Sequence, residues 1–166
     1  MRGTVPSMPG RCPGRDTVDV RPLTERDLDV ALPLIAGYQR FYGAEPDDER
    51  NRSFFRRFLA PSDDGLLLGA WLGDDLVGFA TLYWTFSSTN AAEAVLMNDL
   101  FVRPGHRGHG VGRELIDASA KVARRRGAPH LEWLTAMDNE VAQRLYDRLG
   151  ATRSSWFAYE LPAVLG

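Results

Sequence analysis

The stretch that most constrains this chain runs Val102-Arg103-Pro104-Gly105-His106-Arg107-Gly108-His109-Gly110-Val111-Gly112. An apolar run, Val95 to Val102, leads into it. A run with helical spacing (Val111, Leu115, Ala118, Ser119, Val122) leaves it. Four glycines lie between strand and helix. Main-chain N–H groups at such a junction can point at an anion, and the helix dipole favours negative charge there. The junction reads as a phosphate holder in an α/β fold.

The flanking sequence has room for such a fold. Thr17 to Arg21 alternates like a short strand, and Pro22 ends it. Thr24-Glu25-Arg26-Asp27 resembles a capping box with Asp27 in place of Glu. It opens a helix marked by Leu28, Ala31, Leu32, Leu34, Ile35 and Tyr38, with Pro33 inside as a candidate kink. Past the acidic connection 44–48, a second helix is expected over Asp48 to Leu59, with Phe54, Phe55, Phe58 and Leu59 as its stripe. The period then changes. Leu66 to Leu72, Leu76 to Phe86 and Val95 to Val102 read as a three-stranded meander, the last strand continuous enough to be buried on both faces. After the helix that follows the glycine turn, Gly127 is placed to end it. His130 to Thr135 is another strand. Asp138 or Thr135 is a candidate cap for a helix running to Leu149, and Thr152 to Leu161 reads as one or two final strands.

Bulk properties exclude several classes. The net charge of -2 argues against a general nucleic-acid binder. No apolar run approaches the ~20 residues of a membrane span, so no membrane association is expected. Cys12 is the sole cysteine, so no internal disulfide can form, and a cytoplasmic location is expected. Residues 1–16, rich in Pro and Gly, read as a disordered leader and residues 17–166 as one domain. His106 and His109 lie on the turn with no third ligand near them, so they read as exposed loop residues and no metal is expected.

Three phosphate motifs compete for the turn. A nucleotide-binding P-loop ends in Gly-Lys-Ser/Thr, but Gly112 is followed by Arg113 and Glu114. A dinucleotide fingerprint needs a third glycine where Leu115 stands. What remains is Arg107-Gly108-His109-Gly110-Val111-Gly112, an R-x-x-G-x-G pattern.

That pattern resembles the acyl-CoA-binding motif of the GCN5-related N-acetyltransferases (GNAT). Asn139 to Ala151 resembles the same family's N-x-x-A-x-x-L-Y-x-x-x-G-F/A helix. Leu76 to Ala80 and Met97 to Val102 are similar to its diamine and small-amine acetyltransferases. Asn98, however, stands where diamine acetyltransferases usually have Glu. The resemblance implies an α/β fold with a mixed central sheet of about six to seven strands and about four helices. It implies acetyl-CoA as co-substrate and transfer of the acetyl group to a primary amine of a small molecule, such as a polyamine or amino acid, in a ternary complex. Alternatives are a non-catalytic acyl-CoA sensor, or an acetyltransferase acting on protein lysines or N-terminal amines.

Residue by residue, the resemblance implies that Arg107, Gly108, His109, Gly110, Val111 and Gly112 hold the cofactor's pyrophosphate. Leu100, Phe101 and Val102 would meet its pantetheine arm beside a bulge that splays the strand. Asn139 and Tyr146, seven residues apart on one helix face, would touch the pantetheine and the sulfur, with Tyr146 as the acid for the leaving thiolate. Asp99 is the candidate base, with Glu93 or a water relay as alternatives. Tyr38, Tyr42, Glu45 and Asn98 are candidate acceptor-binding residues, since an aromatic and acidic wall suits a cationic amine. The aromatic tail is a candidate homodimer interface.

Overall fold

The computed structural model describes residues 17–163. The expected leader and Cys12 lie outside the described residues. Two compact units divide between Leu134 and Thr135.

The first unit is a five-stranded sheet in the order β1-β2-β3-β4-β5, formed by β1 (Asp19–Pro22), β2 (Gly65–Leu72), β3 (Asp75–Ser87), β4 (Ala92–Val102) and β5 (Leu131–Glu132). The first four strands are antiparallel neighbours, and β5 joins β4 in parallel. Helices α1 (Leu28–Phe41) and α2 (Asp48–Phe55) cover one face. Their apolar stripes meet Leu67, Trp71, Phe79 and Phe101 from the strands in one core. Helix α3 (Val111–Arg125) covers the other face. Gly78 in β3 makes that approach possible, because a Cβ there would stand 3.3 Å from both Leu115 and Val111.

Local chemistry explains most boundaries. Asp27 Oδ2 accepts from both the Thr24 N–H and its hydroxyl at 2.8 Å, as a capping box requires of the reaching carboxylate. The same carboxylate takes Arg21 in a two-pronged pair at 3.1 Å, which links β1 to the start of α1. Pro33 lies in the first half of α1, and the helix continues through it to Phe41. Helix α2 ends at Phe55 and gives way to a 3-10 turn over 56–58, short of the expected Leu59. Gly127 takes φ +76° just after α3, the conformation expected of a helix-ending glycine.

Four expectations about the strands need correction. Strand β4 is not buried on both faces throughout: Met97, Asp99 and Phe101 are buried, whereas Asn98 is exposed and Leu96, Leu100 and Val102 are partly open. Strand β5 spans two residues rather than six, because β4 leaves it after the pairs Val95↔Leu131 and Leu96↔Glu132. The sheet therefore has five strands rather than six to seven among the described residues. Thr152 to Leu161 carries no strand, and Trp156, Phe157, Tyr159 and Leu161 are each about nine-tenths exposed.

The second unit contains α4 (Glu140–Arg148). Its cap is Asn139, whose Oδ1 accepts from the Ala142 N–H at 3.3 Å, rather than Asp138 or Thr135. Gln143 Nε2 ties the preceding loop to the helix through the carbonyls of Ala136 and Met137. Gly150 ends it at φ +78°. No helix among the described residues is long and apolar enough to cross a membrane.

Candidate active site

The register of β3 against β4 slips by one residue at the middle of the sheet. Thr81 faces Asp99 and Leu82 faces Met97, so Asn98 is an extra residue without a partner. This is a β-bulge, and it has two consequences.

The first concerns side chains. In a regular strand Asn98 and Asp99 would point to opposite faces. The bulge brings both side chains together beside Tyr83. Asn98 Nδ2 donates to Asp99 Oδ1 at 2.9 Å and to Tyr83 Oη at 3.3 Å. Asp99 is 4% exposed. Burial pushes its carboxyl above the usual carboxylate range, opposed by hydrogen-bonding groups on Thr81, Tyr38 and Asn98. Thr81 Oγ1 is buried without a hydrogen bond of regular geometry, so it acts on Asp99 as a nearby hydroxyl dipole.

Two tyrosines complete this cluster. Tyr38, from α1, packs edge-on against Phe79, Phe101 and Tyr42 at centroid distances of 6.0, 6.4 and 5.0 Å. Tyr83 stacks on Phe58 at 5.0 Å. Burial and then the Asp99 charge push the Tyr38 hydroxyl far above its ordinary value. The same two causes push Tyr83 up to about 12, with Arg57 pulling the other way. Both phenols stay protonated at neutral pH, which leaves Asp99 as the group here that can take a proton.

The second consequence concerns the main chain. The Arg103 N–H donates to the Val77 carbonyl. By strand alternation Phe101 also turns its main chain toward β3, while Leu100 and Val102 turn theirs away. With β5 paired no further than Leu96, those polar groups have no strand partner on that side among the described residues, and the Val102 carbonyl accepts from Arg107 instead. Phe101 is 8% exposed, its ring is in the core, and its main chain pairs with Phe79.

The glycine turn follows directly. Gly108 and Gly110 sit at φ +80° and +87°, in the left-handed region where a side chain is strained, and a Cβ at either would meet nothing. Backbone conformation, rather than crowding, thus requires glycine at these positions. The N–H groups of Gly108, His109 and Gly110 have no protein partner among the described residues, and Val111 and Gly112 open α3, where amides lack intrahelical acceptors. The arginines brace this turn. Arg103 pairs with Asp75 at 2.9 Å and donates to the Leu76 carbonyl. Arg107 Nε donates to the Val102 carbonyl at 2.9 Å, and its guanidinium lies over Phe41 and Phe101. His109 is exposed. His106, expected to be exposed too, is half-buried, with Nδ1 buried and unpartnered.

Of the acceptor-side residues read from sequence, the fold brings Tyr38, Tyr42, Asn98 and Asp99 together. Glu45 is not brought into the cluster: it lies in the exposed connection before α2, where its main-chain carbonyl accepts from Arg50. Glu93 pairs with Arg126 at 3.0 Å near the start of β4. Sequence reading missed Thr81 and Tyr83. Their alternation with Phe79 marks a shared face, but their neighbours depend on the bulge. In the second unit Tyr146 is half-buried on α4, two turns beyond Asn139. Among the described residues no cluster of three or more His, Cys, Asp or Glu could hold a metal ion.

The chain has relatives among known proteins. The chain matches the acetyltransferase (GNAT) family over residues 33–151. It is 30% identical over 142 residues to the uncharacterized N-acetyltransferase YhfO of Bacillus subtilis, covering 86% of this chain and 95% of that protein. It is 33% identical over 138 residues to the D-amino-acid N-acetyltransferase HPA3 of Saccharomyces cerevisiae, covering 81% and 84%. Among solved structures, the aminoglycoside N-acetyltransferase AAC(6')-Iy in complex with CoA shares the fold, with a TM-score of 0.80 over 93% of this chain and 100% of that one at 18% identity. A family match of this length, on a sheet that opens beside a glycine turn, leads to one assignment: the chain belongs to the GNAT family and is an N-acetyltransferase.

Proposed function

We propose that this enzyme transfers the acetyl group of acetyl-CoA to a primary amine of a small molecule, such as a polyamine or an amino acid, by direct attack in a ternary complex. The observation that carries this reading is Asp99, a buried carboxylate held at a bulge among neutral hydroxyls, beside unpaired main-chain groups of the same strand. The names of relatives that act on D-amino acids and aminoglycosides support a small amine as acceptor.

The residues present fit the co-substrate. Unpaired amides of Gly108, His109, Gly110, Val111 and Gly112 suit a pyrophosphate, with Arg107 as the brace that holds the turn in shape. Main-chain groups of Leu100 and Val102 suit an amide-bearing arm such as pantetheine, and the Val102 carbonyl must then be shared with or released by Arg107. Phe101 contributes through its ring, as part of the wall between Tyr38 and the turn. Asn139 and Tyr146 are assigned by their motif to the pantetheine and the sulfur.

Acetyl-CoA supplies the thioester carbon that the amine attacks and the thiolate that leaves. The protein's part is proton management. A lysine-like ammonium has a pKa of about 10.4 in water and must lose a proton first. Desolvation against Tyr38 and Tyr42 lowers that value, while burial raises Asp99, so the two converge. Asp99 takes the proton that the ammonium releases, Tyr146 supplies one to the leaving thiolate, and the second proton that the nitrogen sheds on becoming an amide restores the Tyr146 hydroxyl through solvent. Tyr42 closes the aromatic wall, and the exposed Glu45 adds negative charge at its approach.

The test is a thiol-release assay with acetyl-CoA across polyamines, amino acids of both hands, aminoglycosides and a lysine peptide. Turnover with at least one free small amine is expected; acetylation confined to the peptide would overturn the small-molecule reading. Tyr146→Phe is expected to lower kcat by about 100-fold with CoA affinity unchanged. Intact turnover in that variant would remove the acid assignment.

A further inference from the structure

We propose that Asn98 is a positioning residue for Asp99: the bulge turns its carboxamide onto the carboxylate and onto Tyr83, and this clamp keeps Asp99 ionised and aimed at the incoming amine. The proposal rests on the reading of Asp99 as the base.

The geometry is specific to the bulge. Neighbouring residues of a strand do not ordinarily share a face, so a side-chain hydrogen bond between residues 98 and 99 requires the extra residue. The orientation of the amide is also determined. An ionised carboxylate only accepts, so the nitrogen of Asn98 must face it, and the second N–H reaches Tyr83 Oη. A flipped amide would set its oxygen against the carboxylate. Tyr83 is itself fixed by stacking on Phe58, so the clamp is anchored to the core at its far end.

The surroundings give this hydrogen bond weight. Asp99 is faced by Tyr38 from α1, by Thr81 and Tyr83 from β3, and by Asn98 from its own strand, while Tyr42, just past the end of α1, packs on Tyr38. Among the described residues no cation pairs with it. The nearby Arg57 acts on Tyr83 and is engaged by Asp64 at 3.0 Å. Hydrogen-bonding groups on Thr81, Tyr38 and Asn98, in decreasing order of effect, therefore oppose burial at Asp99, and Asn98 is the one among them that makes a hydrogen bond of regular geometry. Asn98 is exposed where Asp99 is buried, so the clamp links a solvent-facing side chain to the buried carboxylate. The Asn98 oxygen makes no hydrogen bond among the described residues and is left to accept from the ammonium. Asparagine at this bulge position thus serves the base in the next residue rather than replacing it.

The experiment is the pH dependence of kcat/KM for the amine, which reports the free enzyme. Asn98→Ala is expected to move the acidic limb to higher pH, lowering kcat/KM about tenfold on the acidic side and little on the alkaline plateau. Asn98→Asp should move it further, because a like charge then faces Asp99. Tyr83→Phe should move it in the same direction by less. A raised KM with an unmoved limb in Asn98→Ala would overturn the proposal, leaving Asn98 as an acceptor contact alone. Asp99→Asn separates the two readings: if its acidic limb persists, Asp99 is not the base and the reading beneath has failed. The carboxyl carbon of Asp99, followed by NMR titration in the wild type and in Asn98→Ala, gives the same comparison without turnover, with an unshifted titration counting against the clamp.

Discussion

Asp99 shows how one residue can serve chemistry at the expense of stability. Its carboxyl titrates higher in the folded protein than in the unfolded chain, where an aspartate lies near about 3.9. A group raised in this way contributes stability that is complete below the unfolded value and is lost as pH rises through the folded one. At neutral pH the ionised, buried Asp99 is therefore a net cost. Asp99→Asn should raise the thermal midpoint at pH 7 by a few degrees while lowering kcat/KM by a factor of about 100 or more. Thermal unfolding and steady-state kinetics on the same preparation check both halves. A lowered midpoint would show that the carboxylate is structurally required rather than tolerated.

At the scale of elements, the parts legible in the sequence are those whose causes are local. Helix α3 was readable from its stripe, its preceding glycines and Gly127, and it begins at the expected Val111. Asp27 was readable as a capping residue, but its second partner, Arg21, was not, because that pairing depends on where β1 lies against α1. The double engagement, led by the Arg21 hydrogen bonds, lowers Asp27 to about 2. A lowered carboxylate contributes stability above its unfolded pKa that is lost as pH falls through the folded value, here from about pH 4 to below pH 2. Arg21 is 42% exposed, so solvent screening trims the effect. Asp27→Asn should cost on the order of 1–2 kcal/mol at pH 7 and only about 0.4 kcal/mol at pH 2, where the wild-type carboxyl is half protonated. Denaturant melts at the two pH values test this, and an equal loss at both would mean that packing, not charge, is what the substitution removes. Helix α4 was legible in its body and misread at its cap, since Asn139, Asp138 and Thr135 are all good capping residues and sequence does not rank them by geometry.

At the scale of the whole molecule, the feature least legible in the sequence is the one the site depends on. Nothing in Val95 to Val102 reveals that Asn98 is supernumerary. A bulge is a relation between two strands, and the period-2 pattern of one strand reads almost the same with or without it. The shortness of β5 has a similar origin: His130 to Thr135 has the composition of a strand, but its partner turns away after two pairs. The family resemblance supplied the expectation of a splayed strand, and the structure locates the slip at one residue. This arrangement makes a strong claim about exchange in the free protein. The Phe101 amide, turned toward β3, should be protected, whereas those of Leu100 and Val102, turned away from it, should exchange orders of magnitude faster although they lie in the same strand. Saturating CoA should slow the latter two, together with Gly108 and Gly110 in the turn, and leave Phe101 unchanged. It should also raise the unfolding free energy by about 2.7 kcal/mol at a hundredfold excess over Kd. Amide exchange by NMR with and without CoA reads all five positions at once. Uniform protection along residues 100–102 in the free protein would mean that the strands are closed and that the co-substrate must enter elsewhere.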